Sequence, residues 1–122
     1  MIATTIEQSK HLELGLDSKT ADMVWRYVTS GCYRIEVLHK ELFEATNEKD
    51  IPAWSLSALL EVIPPYIKSH YLKIEKTRIT DAWYIDYQYL TDSEPRKDLL
   101  TAAYEMVCWL LENNLIKKGG EE

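Results

Sequence analysis

The sequence predicts an α+β domain, in which a small antiparallel sheet of about three strands packs against helices and a long C-terminal helix is central to the core. Three observations favour this class. Two segments, Tyr71–Thr77 and Trp83–Leu90, alternate as strands do and lie one short loop apart, as in a hairpin spanning 71–90. The segment Arg96–Asn113 has a helical period and is apolar over most of its circumference. The 122 residues are enough for one domain, 1–122, with a real core.

A first helix is expected over Ile6–Leu14. Thr5 and Gln8 have the spacing of a capping box, in which each side chain accepts a hydrogen bond from the main-chain N–H of the other residue. Gly15 follows directly, and we expect it to end the helix in the left-handed conformation that glycine tolerates.

A second helix is expected from Ser18 to about Tyr27, because Asp17 is a suitable N-cap for it. The next segment, Tyr33–Lys40, is ambiguous, since its apolar residues fit the period of a strand and also that of a helix. We assign 33–40 as a strand. Further along, Ser55 is expected to cap a short helix that ends before two consecutive prolines.

The strand and helix periods also predict which faces are buried in the C-terminal half of the chain. In the strand 83–90 the face expected to meet the core carries Trp83, Ile85, Tyr87 and Tyr89. The opposite face carries Tyr84, Asp86 and Gln88. In the last helix the residues expected to be inaccessible are Leu99, Ala103, Met106, Val107 and Leu110.

Four phrases of the chain resemble those of a family of small uncharacterised proteins encoded in Bacteroidetes genomes, often near prophages or other mobile elements. They are residues Glu7–Lys10, Leu12–Met23, Pro52–Pro64 and Glu105–Asn113. That family has no assigned activity or ligand. The resemblance therefore implies a genomic context, and it assigns no functional residue.

Composition argues against several classes of protein. A net charge of −6 disfavours non-specific binding to nucleic acid or to an anionic membrane, since both need basic surface. No apolar run approaches the length of a membrane span, and no secretory signal is recognisable. We therefore expect a cytoplasmic protein whose Cys32 and Cys108 do not form a disulfide, with a flexible tail at 117–122.

Residue patterns typical of catalysis or of cofactor binding do not occur in the sequence. His11, His39 and His70 are isolated from one another and from the cysteines, unlike the closely spaced ligands of a metal site. Glycine-rich phosphate loops and nucleophile elbows are not found either. No catalytic, cofactor-binding or metal-binding residue is assigned, and a non-enzymatic protein is expected.

The segment Leu14–Ala21, around Gly15, resembles the turn of a helix-turn-helix motif. The second helix would then present Ser18, Lys19 and Arg26 to a DNA groove. Acidic residues, among them Asp22, flank this surface, whereas contacts to phosphate normally need cations or amide donors. Nucleic acid is therefore not the expected partner, and a DNA-binding regulator is kept as the alternative.

The aromatic content, four Trp and eight Tyr, is compatible with a protein interface as well as with a core. Tyr104 and Trp109 lie at the two margins of the apolar arc of the last helix, and Tyr84 lies on the outer face of the hairpin. We therefore expect a protein-interaction domain or an accessory protein of a mobile element, whose partner is another protein or a second copy. A small-molecule-binding or enzymatic protein is the third hypothesis.

Overall fold

The computed structural model describes residues 2–29, 31–37, 49–91 and 93–116. In chain order the elements within these ranges are α1 Ile6–Glu13, a 3₁₀ turn Ser18–Thr20, β1 Met23–Tyr27, β2 Tyr33–Val37, β3 Ile51–Ala53, α2 Leu56–Val62, β4 Tyr66–Ile67, β5 His70–Lys76, β6 Trp83–Tyr87 and α3 Leu99–Glu112. The predicted α+β class is confirmed. The tail 117–122, expected to be flexible, lies outside the described residues.

The strands divide into two antiparallel sheets of three strands each, where the sequence indicated one. The first sheet has the order β2-β1-β3, with β1 in the centre. The second has the order β4-β5-β6 and contains the predicted hairpin as β5 and β6. The sequence therefore predicted β5 and β6 of the second sheet and β2 of the first, whereas β1, β3 and β4 were not predicted.

The start of α1 is as predicted, but the role expected of Gly15 is wrong. The capping box between Thr5 and Gln8 is present, with both hydrogen bonds formed. Gly15 does not have a positive φ, and the helix ends at Leu14 in the right-handed region. A Cβ at Gly15 would lie 2.9 Å from Cδ1 of Leu111, so this glycine allows α3 to approach closely.

The second helix predicted over Ser18–Tyr27 is wrong. Asp17 does act as an N-cap, but only for the 3₁₀ turn, and the chain then becomes strand β1. β1 forms hydrogen-bonded ladders with β2 on one side and β3 on the other. Aromatic and β-branched residues suit such a central strand, and this long-range pairing outweighs the local cap.

The N-terminal segment is fixed to the first sheet through Thr4. Its main-chain N–H donates to Trp54 O at 2.9 Å, and its hydroxyl accepts from Trp54 N at 3.1 Å. Its carbonyl accepts from the indole Nε1 of Trp25 at 2.9 Å. The hydroxyl groups of Thr4 and Ser9 are hydrogen-bonded to each other at 2.7 Å, and both residues are fully buried. These bonds hold α1 against β1 and the end of β3.

The predicted strand 33–40 is confirmed as far as Val37, and 38–40 lie outside the described residues. The short helix capped by Ser55 is also confirmed, as α2. The carboxylate of Asp22 accepts hydrogen bonds from the main-chain N–H and from the hydroxyl of Ser55. The cap of α2 is thereby held next to the start of β1.

The face assignment of β6 is correct for its central residues. Ile85 and Tyr87 are buried and Trp83 is half-buried, while Tyr84 lies on the other face. The prediction for Tyr89 is wrong, because the strand ends at Tyr87 and Tyr89 stands in the following turn at φ 64°, with 90% of its surface exposed.

Burial in the core raises the pKa of Tyr87 to about 12. The hydroxyl donates to Pro64 O, and no part of the residue is exposed. Because the folded pKa lies above the unfolded value of about 10, this tyrosine stabilises the fold fully below pH 10. That stability is lost as the pH rises towards 12, by roughly 2 kcal/mol.

Urea unfolding of the wild type and of Tyr87→Phe, measured from pH 9 to pH 12, checks this expectation. The free energy of unfolding of the wild type should fall faster above pH 10 than that of the variant, which has no phenol to ionise at this position. Parallel curves for the two proteins would contradict the raised pKa of Tyr87 in the folded state.

The last helix begins at Leu99, three residues later than predicted. Asp98 caps it, and Arg96 is instead bonded to Trp83 through both main-chain groups at 2.6 Å. The predicted inaccessible positions are buried except Leu99, which is half-buried. The buried residues of α3 form one cluster with residues of three other parts of the chain. These are Leu12 and Leu16 from α1 and the loop after it, Leu59 and Ile63 from α2 and its end, and Ile85 from β6. The central position predicted for this helix is confirmed.

Candidate functional site

The three residues proposed to contact DNA do not lie on one helix. Ser18 and Lys19 are in the 3₁₀ turn and Arg26 is on strand β1. Arg26 Nε lies 2.5 Å from Glu36 Oε2, and its Nη1 lies 3.3 Å from Asp50 Oδ2. The hydrogen bond with Glu36 raises the pKa of Arg26 further. A recognition helix is thus replaced by a strand, and the cation of Arg26 is matched by two carboxylates.

The three predicted interface residues are each engaged within the chain and do not form one surface. Tyr104 meets the ring of His11 edge-on at 6.2 Å, and its pKa is raised, mainly by burial. Trp109 is half-buried beside a hollow of about 180 Å³. Tyr84 donates to the carboxylate of Glu75 on the face of β6 opposite to Ile85, away from α3. An interface formed by Tyr104 and Trp109 remains a prediction.

The described residues contain neither a cluster of metal ligands nor a helix that could span a membrane. Among the described residues no group of three or more His, Cys, Asp or Glu side chains could hold a metal ion. No helix within those ranges combines the length and the apolar character needed to cross a membrane. Both cysteines are free thiols, Cys32 exposed and Cys108 half-buried.

The most distinctive surface is the outer edge of β2. Val28 N donates to Cys32 O at 2.8 Å, so this pair is hydrogen-bonded, and such pairs alternate along an antiparallel ladder. The main-chain N–H and C=O groups of Tyr33, Ile35 and Val37 therefore point away from β1. Consistently, Tyr27, which lies opposite Tyr33, directs its N–H to the other side and donates to Asp50 at 2.8 Å. We call these outward groups of residues 33, 35 and 37 the β2 edge.

The corresponding edge of the second sheet is covered by Thr91, Ser93 and Arg96. Each residue of β6 that points outward finds a partner among them. The pairs are Trp83 with Arg96 at 2.6 Å, Ile85 O with Ser93 Oγ at 3.0 Å, and Tyr87 N with Thr91 Oγ1 at 2.8 Å. This cover prevents another chain from adding a strand beside β6.

The remaining edges are short or covered as well. Beyond β3, the main chain of Trp54 is bonded to Thr4. β4 has only two residues, and the part of β5 that extends beyond it has only residues 74 and 76 pointing outward. In the part of the chain that the structure describes, the β2 edge is thus the one with three outward residues, at alternate positions, and no partner strand. Exposed edges of this kind are templates for pairing with another chain.

An apolar groove lies beside the β2 edge, on the same face of the sheet as Ile35. Its volume is about 400 Å³, and its lining residues are Ile2, Ala3, Thr5, Ile6, Trp25 and Ile35. Trp25 and Ile35 are paired across β1 and β2 and form the floor. The bond from Trp25 Nε1 to Thr4 O fixes the indole. Ile2 above it and Val37 at the end of β2 are 69% and 60% exposed.

The opposite face of β2 is charged. Glu36 accepts hydrogen bonds from Arg26 and from Arg34, whose Nη2 lies 2.7 Å from Glu36 Oε1. The bond from Arg26 and then that from Arg34 lower the pKa of Glu36. The β2 edge therefore separates an apolar face from an ion-paired face, as an interface strand must if it is to add a neighbour in one orientation.

No family model, curated protein or solved structure matches this chain. The β2 edge and its groove are consequently the features that indicate a function. The sequence predicted a strand here but not an edge, because the position of a strand in its sheet depends on pairings with residues far along the chain.

Proposed function

We propose that the protein is a non-enzymatic interaction domain that binds an extended segment of a polypeptide as an additional strand beside β2. The observation that carries this proposal is the β2 edge, with the outward main-chain groups of Tyr33, Ile35 and Val37. In strand addition, main-chain hydrogen bonds supply affinity and pockets for alternate side chains supply specificity.

The groove and the charged face determine which side chains are favoured in a bound strand. A bound strand would place every second side chain on the face of Ile35, next to the apolar groove, where aliphatic or aromatic groups are favoured. The other side chains would lie beside Arg34 and Glu36. The preferred segment alternates apolar and charged residues. The resemblance noted in the sequence is compatible with such a domain being an accessory protein of a mobile element.

Selection of displayed random peptides on the purified protein tests this function. We expect enrichment of peptides with apolar residues at every second position, and we expect Ile35→Pro to weaken their binding at least tenfold. Proline removes the outward N–H but no hydrogen bond of the ladder with β1, so an edge position tolerates it.

The matched control is Ile35→Val, which keeps the N–H and a β-branched side chain and should bind the peptides within about threefold of the wild type. Circular dichroism checks that both variants keep the fold of the wild type. Selected peptides that bind Ile35→Pro as tightly as the wild type would contradict the proposed function.

A further inference from the structure

We propose that the strand added beside β2 is the β2 of a second copy. The two strands pair antiparallel about a twofold axis that lies midway between the two copies of Ile35. This inference rests on the proposed function of the β2 edge and names its partner. It would join the two first sheets into one continuous sheet across the axis.

The main-chain geometry of β2 agrees with this axis. About Ile35, Tyr33 lies opposite the partner's Val37, and Ile35 lies opposite the partner's Ile35. These are the residues whose N–H and C=O groups point outward, so each such pair can exchange two hydrogen bonds. An axis between two residues would set outward groups against inward ones and turn apolar side chains to the charged face.

Charge selects the same register. With the axis at Ile35, Arg34 lies opposite the partner's Glu36, in a pair that is not hydrogen-bonded, where side chains approach most closely. An axis at Arg34 would oppose two arginines, and an axis at Glu36 would oppose two carboxylates. The side chain of Arg34 is 66% exposed, so it can reach a second carboxylate while Arg26 keeps its bond to Glu36.

The apolar face also gains from this arrangement. The twofold axis is perpendicular to the sheet, so the grooves of both copies lie on the same side. Ile35 of each copy would be covered by the partner's Ile35, and Val37 by the partner's Tyr33, which removes exposed apolar surface beside the groove. Because the paired strands are short, we expect a dissociation constant in the micromolar range.

Charge reversal of single residues tests the register. Arg34→Glu places a carboxylate opposite the partner's Glu36, and Glu36→Arg places a cation opposite the partner's Arg34. Each variant alone should dissociate at least tenfold more readily than the wild type in sedimentation experiments. An equimolar mixture should recover the dimer, because every cross-strand pair in the mixed dimer joins opposite charges. A mixture that stays at the mass of 14.2 kDa would overturn the inference.

Cross-linking supplies a second measurement in case Glu36→Arg, which also removes the partner of Arg26, does not fold. In a Cys32→Ser background, Ile35→Cys should form a disulfide dimer on mild oxidation, since hydrogen-bonded antiparallel pairs have Cα atoms about 5.5 Å apart. The matched control is Val37→Cys, which should not cross-link because its counterpart lies about four residues away along the strand, roughly 13 Å.

The outcomes separate this inference from the proposed function. A wild type that is monomeric at high micromolar concentration, yet binds selected peptides in an Ile35-dependent way, would overturn the self-pairing and leave strand addition intact. A monomer that binds no peptide would overturn both. A dimer that resists Ile35→Pro but is lost in Trp109→Ala would place the contact on the last helix and also overturn the self-pairing.

Discussion

Replacing Trp54 with alanine is expected to lower the free energy of unfolding by about 3 to 5 kcal/mol. No part of Trp54 is exposed, and it is among the largest fully buried side chains of the described chain. Its indole Nε1 donates to the Thr20 hydroxyl at 2.9 Å. The substitution therefore leaves a large cavity where α1, the 3₁₀ turn and the end of β3 meet.

Chemical denaturation of the wild type, Trp54→Ala and Trp54→Phe measures this loss. Trp54→Phe keeps most of the ring and loses the bond to Thr20, so its cost should be smaller, about 1 to 2 kcal/mol. A loss below about 1 kcal/mol for Trp54→Ala, the usual range of surface sites, would contradict the burial described for this residue.

Leu110→Ala is expected to cost about 2 to 5 kcal/mol, because Leu110 is fully buried in the last turn of α3 and the surrounding elements cannot close the cavity completely. Leu99 provides a matched control on the same helix, since it is the same residue type but only half-buried. Leu99→Ala should therefore cost distinctly less than Leu110→Ala. Equal losses at the two positions would mean that burial along α3 does not determine its stability contribution.

The hairpin of β5 and β6 and the helix α3 could be predicted from the sequence because their signals are local. Ile85 and Tyr87 alternate with polar residues over one short strand, and the turn that joins the hairpin lies next to them in the chain. Likewise, the apolar arc around Leu110 shows that several elements must cover this helix, whichever they are.

The first sheet could not be predicted because its signals are long-range. Asp17 is a good helix cap, and nothing in the residues after it reveals that β1 will pair with Ile51–Ala53 more than twenty residues later. The function of Gly15 was missed for the same reason. Its close neighbour Leu111 lies in α3, near the other end of the sequence. The sequence alone does not distinguish a glycine needed for close packing from one needed for a positive φ.

The bonds of Thr4 set the order in which parts of the chain can fold. They reach Trp25 and Trp54, which are 21 and 50 residues further along the sequence. Closing such long loops costs conformational entropy that short-range contacts do not. The capping box of α1 needs only neighbouring residues, but the surface that holds α1 exists only after β1 and β3 have paired. We therefore expect α1, although it is synthesised before β1 and β3, to dock late, after the sheet that receives it.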